Sequence, residues 1–138
     1  MPELDPAAAA KGSTEFFAPL VPGQLGCVFD HVAPDLVIGH LDVTPPLIAG
    51  TGFLFAPAVI ALADTCAAIG CGANLSAGES FTTLELKTNY VRAITQSTGR
   101  VHAEGTVLHS GGRVATTEAR VYDDSGALYA HATSTCLI

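Results

Sequence analysis

Asp64 is the one carboxylate in a long, almost wholly apolar run, GFLFAPAVIALADTCAAIGCGAN at 52–74. A carboxylate among aliphatic side chains can attack an electrophilic carbon or take a proton from water, and an apolar wall raises its basicity. Charge is seldom placed in such surroundings without compensation. Eight residues upstream, Ala56 stands where a helix would begin, and the first N–H groups of a helix have no partner inside it. An amide at that end suits a carbonyl oxygen that is gaining negative charge. Together the two groups could carry out acyl transfer. On one helix they stand about 12 Å apart along the axis, too far to share one carbonyl. A second copy packed antiparallel would set Asp64 opposite the partner's helix start, so the spacing predicts a dimer with two sites at its interface. A plainer reading is also open, in which Asp64 and Thr65 cap a broken helix or bond across an interface.

The other polar residues carry weaker signals. Glu79 falls in a loop and Glu85 on a solvent-facing strand position, while Asp123 and Asp124 belong to a turn. His31, His40, His102 and His131 read as strand-surface side chains. The run His109-Ser110-Gly111-Gly112-Arg113 differs in kind: its glycines admit a bulky anion closely, and Arg113 supplies the matching charge. Gly-Gly is equally a hairpin signal. No P-loop, dinucleotide fingerprint or metal quartet is present. Cys27, Cys66, Cys71 and Cys136 lack CxxC or Cys/His spacing, and read as buried free thiols in a reducing compartment.

With 6 Lys and Arg against 13 Asp and Glu, the net charge of -7 argues against wholesale nucleic-acid binding. It leaves room for an anionic small molecule held by a local Arg or Lys. The N-terminus lacks a basic segment followed by an apolar run, so no signal peptide is expected. The central helix, read as about 16 residues containing Asp64, is too short and too polar for a membrane span. A cytoplasmic protein is the expectation.

Pro57 suits a first helical turn, and Gly70 and Gly72 supply a stop, so the helix is expected over about 57–72. On it Pro57, Ile60, Ala61, Asp64, Ala67, Ala68 and Cys71 share one face, with Val59, Leu62, Cys66 and Ile69 on the bulkier other. That bulkier face is expected to seat against a sheet. Before the helix, 25–31 and 36–43 have strand character. After it, 80–92, 100–109, 113–122 and 128–137 do, divided by turns at 97–99, 110–112 and 123–126. In 80–92, Leu84, Leu86, Thr88 and Tyr90 alternate against Thr83, Glu85, Lys87 and Asn89. The order predicts one domain over 1–138, in which an antiparallel meander wraps the helix. Residues 1–20 form a peripheral segment, whose alanine-rich first dozen residues fray or make a short helix.

In this arrangement the chain resembles the hotdog-fold acyl-CoA thioesterases of the PaaI-like group, which includes 4-hydroxybenzoyl-CoA thioesterases of the Arthrobacter type. The likeness covers about 25–137 and rests on ALAD at 61–64, LELKTNYVRA at 84–93, and VLHSGGR with the DDSG turn after it. It implies an α+β hotdog fold, in dimers often paired into tetramers, with CoA lying across subunits as part of the substrate and no cofactor besides. Asp64 matches the family's helix carboxylate, nucleophile or general base, and Ala56 the place of its oxyanion amide. The segment from His109 through Ser110 and Gly111 to Arg113 resembles part of the surface that receives the nucleotide end. Arg113, then Arg92 and Arg100, are the candidate phosphate anchors, and Asn89 and Thr88 are candidates for the acyl path.

The chain also departs from the family. Where a His-Gly-Gly triplet usually leads into the helix, it has Phe55-Ala56-Pro57, although Gly52 is kept. Ala49 stands at an upstream position often polar, and Ala68 where Ser or Thr often follows the carboxylate. Phe53 and Phe55 near the acyl end imply an aromatic or aliphatic acyl group. A hydratase on the same fold would want a histidine near the helix start, and none is there. A protein that binds an acyl-CoA or apolar acid without turning it over is the main alternative, and a purely structural dimer a third.

Overall fold

The computed structural model describes residues 3–138; the first two residues of the segment expected to be peripheral lie outside that range. Helix α1 (Pro6–Phe17) and a single turn α2 (Val21–Gln24) precede strands β1 (Val28–Val32) and β2 (Val37–Asp42). The long helix α3 (Ala56–Ala73) follows, then β3 (Thr82–Tyr90), β4 (Arg100–Ser110), β5 (Val114–Asp123) and β6 (Leu128–Leu137). All six strands join one antiparallel sheet in the order β1-β2-β4-β5-β6-β3, with α3 lying across it.

The expected meander holds for β4, β5 and β6 but not for β3, which pairs with β6 at the far edge. Residues 91–99 then carry the chain back to start β4 beside β2. Alternation within a strand specifies which face is apolar but not which strand lies next to it. Sequential strands are neighbours often, not always.

The strands turn a trough of mostly small residues towards α3. Gly39, Ala103, Gly105, Ala115, Ala119, Ala130, Ala132 and Ser134 are all buried. A Cβ placed on Gly105 would come 2.7 Å from Ala67 N and 2.7 Å from Cys66 C, so helix backbone rests directly on strand backbone. On Gly39 it would stand 3.1 Å from Cys66 Sγ. Leu62 and Val59 fill the space on either side with Leu41, Val37, Val101 and Val121. Burying a side chain such as Leu62 contributes about 1.5–3 kcal/mol.

This seating rotates α3 from the expected wheel. Ala67 and Cys71 turn into the fold, while Ile60, Ala61, Asp64 and Ala68 stay partly open. The close contact at Gly105 draws the small Ala67 inward, where a wheel sorted by bulk leaves it outside. Gly70 is likewise no stop: it is buried against Val107 and Val37 inside the last turn of the helix. The helix ends at Asn74, whose Nδ2 donates to Gly70 O at 2.9 Å and to Pro34 O at 2.6 Å in the β1–β2 turn. At 18 residues α3 is therefore longer than expected, and by length and hydropathy alone it could cross a bilayer; here half of it is buried inside the fold.

The N-terminal segment forms an ordered helix. Asp5 caps α1 by accepting from Ala7 N at 3.0 Å. The helix docks on β1 through Thr14 Oγ1, which accepts from Phe29 N at 2.9 Å, and through the Phe17 and Phe29 rings. All four cysteines are free and buried.

Adding one methyl at Gly105 forces helix and strand apart. Gly105→Ala should cost about 2 kcal/mol and lower the melting temperature by roughly 5–8 °C. Thermal unfolding followed by circular dichroism checks this, and an unchanged midpoint would contradict the backbone contact.

Candidate active site

The start of α3 has no side-chain cap: Phe55 occupies the N-cap, and its side chain makes no hydrogen bond there. Pro57 has no N–H, and Ala58 N is taken by Phe55 O at 2.9 Å. That leaves the Ala56 N–H, outside the i→i−4 ladder, as the amide this end presents. The loop delivering it is pinned by Phe55 N to Leu47 O at 2.8 Å and Leu54 N to Ile94 O at 2.8 Å. From the end of β3, the Tyr90 hydroxyl donates to Ala56 O at 2.8 Å and so ties the first turn to the sheet. Burial raises the Tyr90 hydroxyl above its ordinary pKa. Around Ala56 opens a cleft of about 510 Å³, which Phe53, Phe55, Tyr90, Val91 and Arg92 help to line.

Asp64 lies two turns further along the same helix, outside that cleft and on the open face of α3. Burial raises its carboxyl above the ordinary aspartate value. The Thr83 hydroxyl, 3.4 Å from Oδ1, donates to the carboxylate and pulls in the opposite direction. Thr65 donates instead to Ala61 O at 2.6 Å, and α3 runs unbroken through both residues. The structure thus shows no broken helix for Asp64 and Thr65 to cap.

Thr83 reaches Asp64 because β3 contains a bulge. Its register with β6 shifts between Thr83 and Glu85, which makes Leu84 the extra residue. Strict alternation puts Thr83 with the outward set and Leu84 with the inward one; the bulge reverses both. Thr83 meets the helix and Leu84 is 57% exposed. Beyond the bulge, Leu86 packs on the core and Tyr90 meets Ala56. One side of β3 therefore runs from the carboxylate to the helix start. Thr88 lies between them, its hydroxyl buried without a hydrogen-bond partner among the described residues.

The remaining candidates fall elsewhere. Asn89 is exposed on β3, opposite His131, and is not among the residues lining the cleft. His109 and Ser110 border a second depression of about 390 Å³ near Asn74, at the opposite end of α3. Gly111 sits where a Cβ would meet Val114 O at 3.1 Å and His109 Nε2 at 3.3 Å, so the hairpin's own packing explains that glycine. Arg113 is exposed in the same hairpin. Arg100 is held by Asp42 at 2.6 Å and 3.2 Å, which removes it from the free phosphate anchors. His40 and His102 pair with Asp30 and Asp124 on the sheet surface. No cluster of three metal-ligating side chains occurs among the described residues.

A long helix across an antiparallel sheet, with its first amide in a cleft and a carboxylate on its open face, frames the comparison with known proteins. The thioesterase superfamily profile matches residues 51–130, more than half the chain. The chain belongs to the thioesterase superfamily. Its α+β architecture is the hotdog fold of that superfamily. A thioesterase of Haemophilus influenzae is similar over 93% of this chain and 88% of that one, with TM-score 0.86 and 17% identity. A Mycobacterium tuberculosis protein assigned as an esterase is 27% identical, with TM-score 0.79 over 89% of this chain and 94% of that one. A phenylacetic acid degradation-related protein of Ralstonia eutropha is 25% identical, with TM-score 0.78 over 87% and 90%. No curated protein matches the chain.

Within this thioesterase-superfamily fold, sequence reasoning did not single out Thr83 or Tyr90 as part of the site. No residue type announces the bulge that turns Thr83 inward. Tyr90 had a usable signal, an aromatic with a hydroxyl at the end of an inward row.

The raised pKa of Asp64 has a stability consequence. With the folded value above the unfolded one, its contribution is intact below the unfolded pKa and lost as pH rises through the folded value. Asp64→Asn cannot ionise, so it should melt higher than wild type at neutral pH, and the gap should close as pH falls towards the ordinary 3.8. Melting curves across that range test it; equal midpoints at neutral pH would show a carboxylate at no electrostatic disadvantage.

Proposed function

We propose that the protein hydrolyses an acyl-CoA thioester to the free acid and CoA. The observation that carries this reading is the half-buried Asp64 carboxylate on the open face of the helix whose uncapped first amide, Ala56 N–H, lies in an aromatic cleft. The amide takes the carbonyl oxygen as it becomes an oxyanion. Asp64 either adds to the carbonyl carbon, expelling the thiolate and leaving a mixed anhydride that water then cleaves, or removes a proton from water that adds directly. Phe53 and Phe55 beside Ala56 suit an aromatic or aliphatic acyl group. The likeness to the Ralstonia phenylacetic acid degradation-related protein favours the PaaI-like group.

The two groups are separated by about 12 Å of helix, which supports a homodimer in which Asp64 of one chain faces Ala56 of its partner. The partly open row Ile60, Ala61, Asp64 and Ala68 and the edge strand β3 give such a partner a surface. A tetramer of two such dimers would follow the family habit. Four buried free thiols suit a reducing, cytoplasmic setting.

Thiol release from benzoyl-, phenylacetyl- and medium-chain acyl-CoAs is the test, comparing wild type with Asp64→Asn. The expected result is turnover that falls at least a hundredfold in the variant while CoA binding, read by calorimetry, persists. Binding without thiol release in wild type would replace the enzyme with an acyl-CoA binding protein. Single-turnover hydrolysis in ¹⁸O-water tests for the anhydride: label in Asp64 identifies attack by the carboxylate followed by water adding at the aspartyl carbonyl, whereas label in the acid alone comes from direct water attack or from water adding at the anhydride's acyl carbonyl.

A further inference from the structure

His40 and His102 stand directly opposite each other on β2 and β4, on the face of the sheet turned away from α3. Their ring centroids are 6.2 Å apart. The side chains are 13% and 22% exposed, so both rings can be reached from solvent.

A carboxylate holds each ring at one nitrogen. Asp30 Oδ2 lies 2.7 Å from His40 Nδ1, and Asp124 Oδ1 lies 2.6 Å from His102 Nε2. A carboxylate accepts, so in the neutral rings those two nitrogens carry the proton. Nε2 of His40 and Nδ1 of His102 then keep the lone pairs. Imidazoles that bind metals are characteristically backed by a carboxylate in this way, which fixes the tautomer and raises the basicity of the ligating nitrogen. Tyr122, next in the row on β5, stacks on His102 with centroids 5.4 Å apart and steadies the plane of that ring.

The local charge has the sign a cation needs. Around the pair, Asp30, Asp42, Asp124 and Glu104 outnumber Arg100 and Arg120, and Asp42 already holds Arg100 at 2.6 Å. The reach suits a shared ion as well. A cation about 2.0–2.1 Å from one nitrogen of each ring keeps the two centroids within roughly 6.5 Å, and a tetrahedral ligand angle brings them about an ångström closer than that limit. Small rotations of two surface side chains cover that difference.

We propose that His40 and His102 form a cross-strand binding site for a late first-row divalent cation of the Zn²⁺ or Cu²⁺ kind, to which imidazole is the suited ligand. The site is separate from the thioesterase reading and does not depend on it. No group of three protein donors occurs among the described residues, so water completes the coordination shell. An ion held by two imidazoles exchanges readily, unlike one in a closed four-ligand centre. Bound there, it ties β2 to β4 across the outer face of the sheet.

Calorimetric titration of the untagged protein with Zn²⁺, Cu²⁺ and Mg²⁺ tests the site. Zn²⁺ and Cu²⁺ should bind one to one, and Mg²⁺, which prefers oxygen ligands, should bind far more weakly. His40→Gln and His102→Gln should each weaken Zn²⁺ binding tenfold or more. His131→Gln, which removes a histidine paired with Glu118 at 3.2 Å but standing outside the His40–His102 pair, should leave it within twofold. Unchanged affinity in the first two variants, or Mg²⁺ binding as tight as Zn²⁺, would overturn the proposal. If either variant fails to fold, wild type decides alone, through the imidazole NMR signals under substoichiometric Cu²⁺. Broadening of His40 and His102 ahead of His31, His109 and His131 supports the site, and uniform or absent broadening overturns it.

Discussion

The contact of Gly105 with the backbone at Cys66 and Ala67 is the constraint from which the rest of the structure follows. A helix can settle this deeply only where the sheet offers no Cβ, and the small inward residues of β4, β5 and β6 extend that room along the helix. Depth of seating sets the rotation of α3, because the side chains nearest the notch must be small. Ala67 therefore goes in, and Asp64, less than one turn away, comes to the margin, where burial raises its pKa without enclosing it. The same dense contact that stabilises the helix thus prepares its carboxylate.

Strand β3 performs the second part of the positioning. As an edge strand bonded on one side to β6, it can accommodate a bulge that a central strand would tolerate less easily. The bulge brings Thr83 to Asp64, and the strand's far end brings Tyr90 to the first carbonyl of the helix. Two hydrogen bonds from one strand therefore hold both chemically useful points of α3. The edge also leaves β3 and the adjoining open row of α3 uncovered within one chain. If amide and carboxylate act on one thioester as proposed, their separation of about 12 Å along the helix would call for a partner in just that region.

The helix start shows a trade between polar help and apolar enclosure. Phe55 as N-cap supplies no side-chain hydrogen bond, which weakens the helix end by about 1 kcal/mol relative to a polar cap. The loop offsets this with backbone bonds to Leu47 and Ile94, and Tyr90 adds its hydroxyl. What results is an exposed amide flanked by aromatic rings, with no side-chain cap competing for it.

Much of this protein was legible in its residues. The apolar run around Asp64, Pro57 at its head and the alternating segments after it determine one central helix and a sheet, because periodicity reports how many faces of an element are buried. The free, buried cysteines and the turn at 123–126 follow from composition and spacing as well. Tertiary structure alone decided that β3 pairs with β6, that Ala67 turns inward, that Arg100 is bound by Asp42 while Arg92 faces the cleft, and that Thr83 meets Asp64. Each of these depends on which neighbour an element meets and how closely. A local pattern carries the direction of a side chain along its own helix or strand, whereas its partner is chosen by contacts between residues far apart in the chain.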